Sequence, residues 1–246
     1  MAASAVLELN GVCKSFEQAV LRDLSFSIYP GETVALVGAN GAGKSTLIKM
    51  ILGLARATQG EIKLWGEAHP NFNSFDRIGY LPELASFWNE LSAWEFLEAM
   101  ASLRGRFPAS ESRISNLLEL FGLKNRARKK MGTFSKGMLQ RTALANLLLD
   151  DPDFLILDEP MSGLDPRAQG KLRNILAMLR ARGKTMLISS HSLEDIEKLC
   201  TRVIVLEKTY KVLDGPSKTV LPDLQEKYQN SEPWDEDPLG DENVLL

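Results

Sequence analysis

The chain has 246 residues, enough for one large domain with a sizeable core, and its 44% hydrophobic and 25% charged side chains mark an ordinary globular sequence. Its 29 basic residues against 32 acidic ones leave a net charge of −3, so no overall basic field points to nucleic acid. No apolar run approaches the ~18–20 residues that span a bilayer, and residues 1–11 lack the basic start and long apolar stretch of a signal peptide.

In chain order, residues 6–29 alternate in hydrophobicity and predict short antiparallel strands joined by a turn near Glu17 and Gln18. An apolar β-type run over 33–37 leads into a glycine-rich stretch, GANGAGKST at 38–46, and a helical pattern over 46–52 leads out. Residues 60–66 form a Gly-bounded strand resembling a return hairpin. From about 84 to 150 the pattern turns helical. One run starts at Ser92 or Ala93, and a second, through Ile114, Leu117, Leu118, Leu120 and Phe121, ends at Gly122. Ser135 is placed to cap a third run through Leu149. Strands are predicted at 154–158, 185–189 and 202–206, with helices at 167–182 and 192–200 between them, an alternation that implies a parallel sheet covered by helices. Cys200 lies on an apolar helical face with Leu193, Ile196 and Leu199 and reads as a buried free thiol, in keeping with a cytosolic protein. The tail from Gln229 carries six acidic residues and no basic ones, and reads as mostly disordered.

The stretch at 38–46 fits the phosphate-binding pattern of four fixed positions, Gly38, Gly43, Lys44 and Ser45. Glycines let backbone N–H groups turn inward around a phosphate, and the helix N-terminus adds partial positive charge at the same point. Lys44 is placed to reach the β- and γ-phosphates and the Ser45 hydroxyl to bind Mg²⁺. Asp158 ends an apolar strand, where a second Mg²⁺ holder is expected, and Glu159 follows it, placed to orient or deprotonate water. A helix-capping acid before Pro160 would explain one of these carboxylates but not both. His191 ends another apolar strand. Alone it would read as a core residue; beside Asp158, Glu159 and a phosphate loop it reads as a γ-phosphate sensor.

Five further strings make the pattern specific: Gly79-Tyr80-Leu81-Pro82-Glu83, FSKGMLQR at 134–141, LDEP at 157–160, SGLD at 162–165 and SSH at 189–191. Their order and spacing resemble the ATP-binding-cassette (ABC) ATPases, the nucleotide-binding subunits of ABC transporters, over roughly residues 6–215. The resemblance implies an α/β fold of the P-loop NTPase type: a mixed sheet core with an antiparallel β subdomain and an inserted helical subdomain at about 84–150. One ATPase domain would then cover 1–228, with an acidic tail at 229–246.

It also implies ATP and Mg²⁺ as ligands. Phe16 matches the aromatic that stacks on adenine, although a hairpin core residue is the alternative. Gly38, Asn40, Gly41, Ala42, Gly43, Lys44, Ser45 and Thr46 match the phosphate loop, and Ser45, Glu83 and Asp158 the metal-binding positions. Glu159 matches the catalytic base and His191 the switch histidine. Ser135 and Gly137 match the signature that contacts the γ-phosphate on an opposite subunit, and Asp165 the D-loop residue at the dimer seam.

Two positions depart from the family pattern. The usual LSGGQ signature is here Phe134-Ser135-Lys136-Gly137-Met138, and Glu83 stands where the Q-loop glutamine is expected. Lys136 adds charge near the phosphate or faces solvent. Both departures resemble the subgroup that pairs with separate ABC-2-type membrane subunits, often exporters. The implied partners are a second ATPase subunit and a membrane-spanning subunit docking near Glu83 to Trp94, where Phe87, Trp88 and Trp94 are candidate anchors, placing the chain at the cytoplasmic face of the membrane. The basic cluster Arg126, Arg128, Lys129 and Lys130 reads as a solvated helix end or a contact for anionic lipid. A soluble ABC ATPase acting on ribosomes or DNA is the alternative. No Asn-Lys-x-Asp string appears, which disfavours a GTPase, and no nucleic-acid partner is expected.

Overall fold

The structure is a computed structural model describing residues 4–70, 72–83, 87–105 and 111–230. In chain order the strands and helices are β1 (Leu7–Ser15), β2 (Ala19–Ile28), β3 (Thr33–Val37), α1 (Lys44–Ile51), β4 (Gln59–Leu64), β5 (Glu67–Ala68), α2 (Phe72–Phe75) and β6 (Ile78–Leu81). There follow α3 (Ala93–Leu103), α4 (Glu111–Leu120), α5 (Lys136–Leu147), β7 (Phe154–Asp158), α6 (Pro166–Ala181), β8 (Thr185–Ser189), α7 (Leu193–Leu199), β9 (Arg202–Glu207), β10 (Tyr210–Pro216) and α8 (Ser217–Asn230).

Two sheets form. One is antiparallel, in the order β2-β1-β4-β5. The other runs β10-β9-β3-β8-β7-β6 and is parallel apart from β10. Strands β3, β7 and β8 are buried at every position, which is why they read as continuous apolar runs rather than alternating ones. Their side chains still alternate in destination. Val34, Leu36, Ile156 and Leu187 join the core shared with β1, β2 and α1. Ala35, Val37, Leu155, Leu157, Met186 and Ile188 join the core shared with the helices.

Between β6 and β7, three helices and two short 3₁₀ turns lie among the described residues. Helix α3 starts with a reciprocal cap: Ser92 Oγ accepts from Glu95 N, and Ser92 N donates to the Glu95 carboxylate. Ser135 caps α5, which ends at Leu147 rather than Leu149. Within the basic cluster, Arg128 lies over the Trp94 ring at 4.8 Å and Lys130 pairs with Glu90, so these two side chains are engaged within the chain.

Strand β6, the hairpin strand β10 and helix α8 have no counterpart among the sequence-derived elements. Helix α8 runs to Asn230, taking in the first two residues of the segment expected to be disordered; residues 231–246 lie outside the described part. Cys200 is buried, and burial pushes its thiol up to about 12, as suits an inert structural thiol.

Candidate active site

The parallel sheet places the site. Leu36 of β3 is level with Ser189 of β8, and Ser189 is level with Asp158 of β7. The phosphate loop therefore leaves β3 two residues beyond the level of Asp158, with one strand between. On the far side, Leu81 of β6 is level with Leu157, so Glu83 also emerges just past the same carboxyl edge. Ligands of open parallel sheets gather at that edge.

The loop itself is tightly seated. A Cβ at Gly38 would collide with the Leu206 carbonyl, and one at Gly43 with Leu21. Gly43 has φ 96 and precedes α1 with no side-chain cap and no acid in the first turn. The first N–H groups of α1 are thus left to an anion rather than to a neighbour. Lys44 Nζ folds back on the loop, donating to the carbonyls of Gly38 (2.6 Å) and Ala39 (3.1 Å). Asn40, Gly41 and Ser45 are exposed, Thr46 is half-buried, and Ala42 is buried beneath them.

Asp158 is 7% exposed. Its Oδ1 accepts from Ser189 Oγ at 2.6 Å, and the same hydroxyl oxygen accepts from the backbone N–H of Glu159 at 2.8 Å. Among the described residues the second Asp158 oxygen has no hydrogen bond or ion pair. Glu159 sits in the left-handed region at φ 44. Its carboxylate, with its side chain 15% exposed, meets His191 Nδ1 at 2.9 Å, and the His191 side chain is 75% exposed. The histidine is therefore not a core residue; it stands in the opening over Glu159. Burial pushes the Tyr80 phenol up, and the nearby Asp158 and Glu83 carboxylates push it further. Tyr80, Asp158 and Glu83 thus share one electrostatic neighbourhood.

Ser135 and Gly137 stand elsewhere. Ser135 Oγ accepts from Met138 N at 3.3 Å as the α5 cap. A Cβ at Gly137 would touch Leu164 and Ala168 in ordinary contact. Among the described residues neither is hydrogen-bonded to 38–46. Asp165 is the exposed N-cap of α6, accepting from Ala168 N. The Lys136 side chain, read as lying near phosphate or in solvent, runs across the bare α-carbon of Gly163 (φ 66) in the Ser162–Asp165 loop. Phe16 is 66% exposed, which removes the core alternative.

Of the three aromatics near Glu83, Trp88 is 58% exposed and rests against Phe96, while Phe87 and Trp94 pack partly into the helical core. Residues 84–86 lie outside the described part. Sequence reasoning passed over Ser189, Tyr80 and Gln140, whose buried amide donates to the Pro160 carbonyl at 3.1 Å. The one signal for Ser189 was a hydroxyl closing an apolar run, as Asp158 does.

Magnesium chemistry calls for oxygen donors, and the site supplies two kinds: a buried carboxylate at Asp158, one oxygen of which has no hydrogen bond among the described residues, and the exposed Ser45 hydroxyl, which likewise has none. No cluster of three or more His, Cys, Asp or Glu side chains that could cage a metal exists among the described residues. Mg²⁺ keeps most of its waters and takes one or two protein oxygens plus substrate phosphates.

Comparison with known proteins agrees with this frame. The family described as ABC transporter matches residues 21–162. An uncharacterized ABC transporter ATP-binding protein of Nostoc sp. (strain PCC 7120) is 43% identical over 199 residues, covering 79% of this chain and 59% of its own length. The chain thus matches about three-fifths of that relative. Nod factor export ATP-binding protein I of Burkholderia orbicola is 39% identical over 215 residues, covering 86% of this chain and 71% of that protein. A solved structure of an ATP binding subunit of an ABC transporter superposes with TM-score 0.79 at 33% identity, over 91% of this chain and 93% of that one. With the family matched over more than half of this chain and the fold shared with such a subunit over 91% of it, the chain belongs to the ABC transporter family, among its ATP-binding cassettes.

Proposed function

We propose that the chain binds and hydrolyses ATP as one of a pair of such subunits, and that closure of the pair drives transport through a separate membrane-spanning subunit. The observation that carries this reading is the Asp158–Ser189–Glu159 relay, which holds two carboxylates, one buried and one facing His191, at the sheet edge from which residues 38–46 also leave. Gly38 to Thr46 would wrap the phosphates, and Lys44 would exchange the Gly38 and Ala39 carbonyls for the β- and γ-phosphates. Phe16 would stack on the base. Ser45 and Asp158, with Glu83 nearby, would hold Mg²⁺, which neutralises phosphate charge when bound.

Glu159 accepts a proton from the attacking water, and His191 orients the Glu159 carboxylate toward the γ-phosphate. Catalysis is otherwise positioning and electrostatic stabilisation. Ser135 and Gly137 lack any bond to their own chain's phosphate loop, and in this reading they serve the ATP of the partner, with Asp165 at the seam. Only differential affinity of the triphosphate for the closed pair can drive closure.

No helix among the described residues is long and apolar enough to cross a membrane, so the spanning segments belong to another chain in this proposal. Trp88, exposed where it rests against Phe96, is the anchor we assign to that contact, and the chain would work peripherally at the cytoplasmic face. ABC-2-type pairing fits Glu83 and Lys136, and the export named for the Burkholderia relative is the direction we propose here. The ATPase domain would span 1–228, with about 84–150 as its helical subdomain.

Glu159→Gln tests the core of this. It should bind ATP and form a nucleotide-dependent dimer, measured by light scattering, while phosphate release falls by about 10²–10⁴. Turnover like that of the unmodified chain would remove Glu159 from the role of base; failure to dimerise with ATP would remove the paired site.

A further inference from the structure

We propose that Lys14 is a positioning residue of the nucleobase platform, holding the Phe16 ring from behind so that its other face is presented to the base. The inference rests on reading Phe16 as the stacking ring. Lys14 Nζ lies 4.6 Å from the centroid of the Phe16 ring. It also donates to the carbonyl of Arg56 at 2.9 Å, and among the described residues it has no carboxylate partner. Its charge is therefore directed at the ring and at one carbonyl dipole.

The surroundings brace this arrangement. Lys14 lies on β1 and Phe16 one residue past its end. Ser15 N donates to Thr58 Oγ1 at 3.1 Å, and Thr58 N donates to the Cys13 carbonyl at 2.8 Å. Residues 56–58 follow the C-terminal end of α1, the helix that begins in the phosphate loop. Lys14 thus ties the ring to the loop between α1 and β4.

The chemistry gives the tie a purpose. A large ring that is 66% exposed would sample many rotamers if left alone. A cation over one π-face fixes the ring plane. It also draws electron density away from the opposite face, which eases face-to-face stacking of an electron-rich purine. A lysine needed only for solubility would gain nothing by giving up its hydration to an exposed ring.

The test separates base from phosphate recognition. Five variants are compared with the unmodified chain: Lys14→Met, Lys14→Gln (which keeps a donor for Arg56), Lys14→Arg, Phe16→Ala, and Lys14→Met combined with Phe16→Ala. Each is measured for KM and kcat in ATP hydrolysis and for competitive inhibition by Mg²⁺-loaded inorganic tripolyphosphate, which has no base. Lys14→Met and Lys14→Gln should raise KM for ATP about 2- to 5-fold with kcat and tripolyphosphate inhibition unchanged, and Lys14→Arg should restore the original KM. On a Phe16→Ala background, Lys14→Met should add nothing. An unchanged KM, or tripolyphosphate inhibition weakening in parallel, overturns the proposal. If Phe16→Ala itself leaves the ATP-to-tripolyphosphate ratio unmoved, the reading of Phe16 is what fails, and the role of Lys14 falls with it.

Discussion

One hydroxyl, that of Ser189, serves two groups: it donates to Asp158 and accepts from the Glu159 N–H. It is fully buried, so no water can replace it without rearrangement. Ser189→Ala leaves a partly buried donor, the Glu159 N–H, and a buried carboxylate oxygen unpaired, at a cost of about 1–3 kcal/mol. It should lower thermal stability and reduce phosphate release by roughly tenfold while ATP still binds, since the phosphate loop lies on another strand. Equal hydrolysis in this variant and in the unmodified chain would show that the relay is not used. At this scale the sequence was informative about Asp158 and Glu159, because carboxylates closing an apolar run stand out. The relay between them was not legible. It depends on β7 and β8 being neighbours in register, and that is a property of the sheet rather than of either strand.

Helix caps let structure and chemistry be separated at the scale of the element. Ser92 and Ser135 both cap helices through their hydroxyls, but only Ser135 is read as serving a partner's nucleotide. Replacing either by Ala removes a cap, worth about 1 kcal/mol. Ser92→Ala should shift the thermal midpoint and leave the hydrolysis rate per folded molecule intact, whereas Ser135→Ala should also cut that rate at least tenfold. A parallel loss in both would mean that Ser135 acts as a cap alone. Three of the elements that escaped sequence reading did so for separate local reasons. Strand β6 has only four residues, one of them glycine. Strand β10 lies at the sheet edge with mostly exposed positions, so no alternation marks it. Helix α8 contains Pro222, which argues locally against a helix. The buried strands and capped helices, by contrast, carried both pattern and punctuation.

For the molecule as a whole, one sheet feeds two cores, and the strands that fill both also deliver Leu36, Ser189 and Asp158 to a common edge. Glu159 is the next residue after that edge, and its φ of 44 is a conformation that L residues other than glycine adopt at a cost of about 1–2 kcal/mol. The proline that follows narrows its backbone choices further. Folding must supply that energy from elsewhere, so the carboxylate there is maintained against the interest of stability. Glu159→Gly and Glu159→Ala lose the same side-chain contact with His191 but differ in this strain. In nucleotide-free thermal unfolding, the Gly variant should melt roughly 2–4 °C above the Ala variant; an Ala variant as stable as the Gly one would show no strain at this position. Random selection for heat resistance alone would therefore be drawn toward glycine at 159, and the recovered proteins would be sturdier but without the carboxylate we propose as the base.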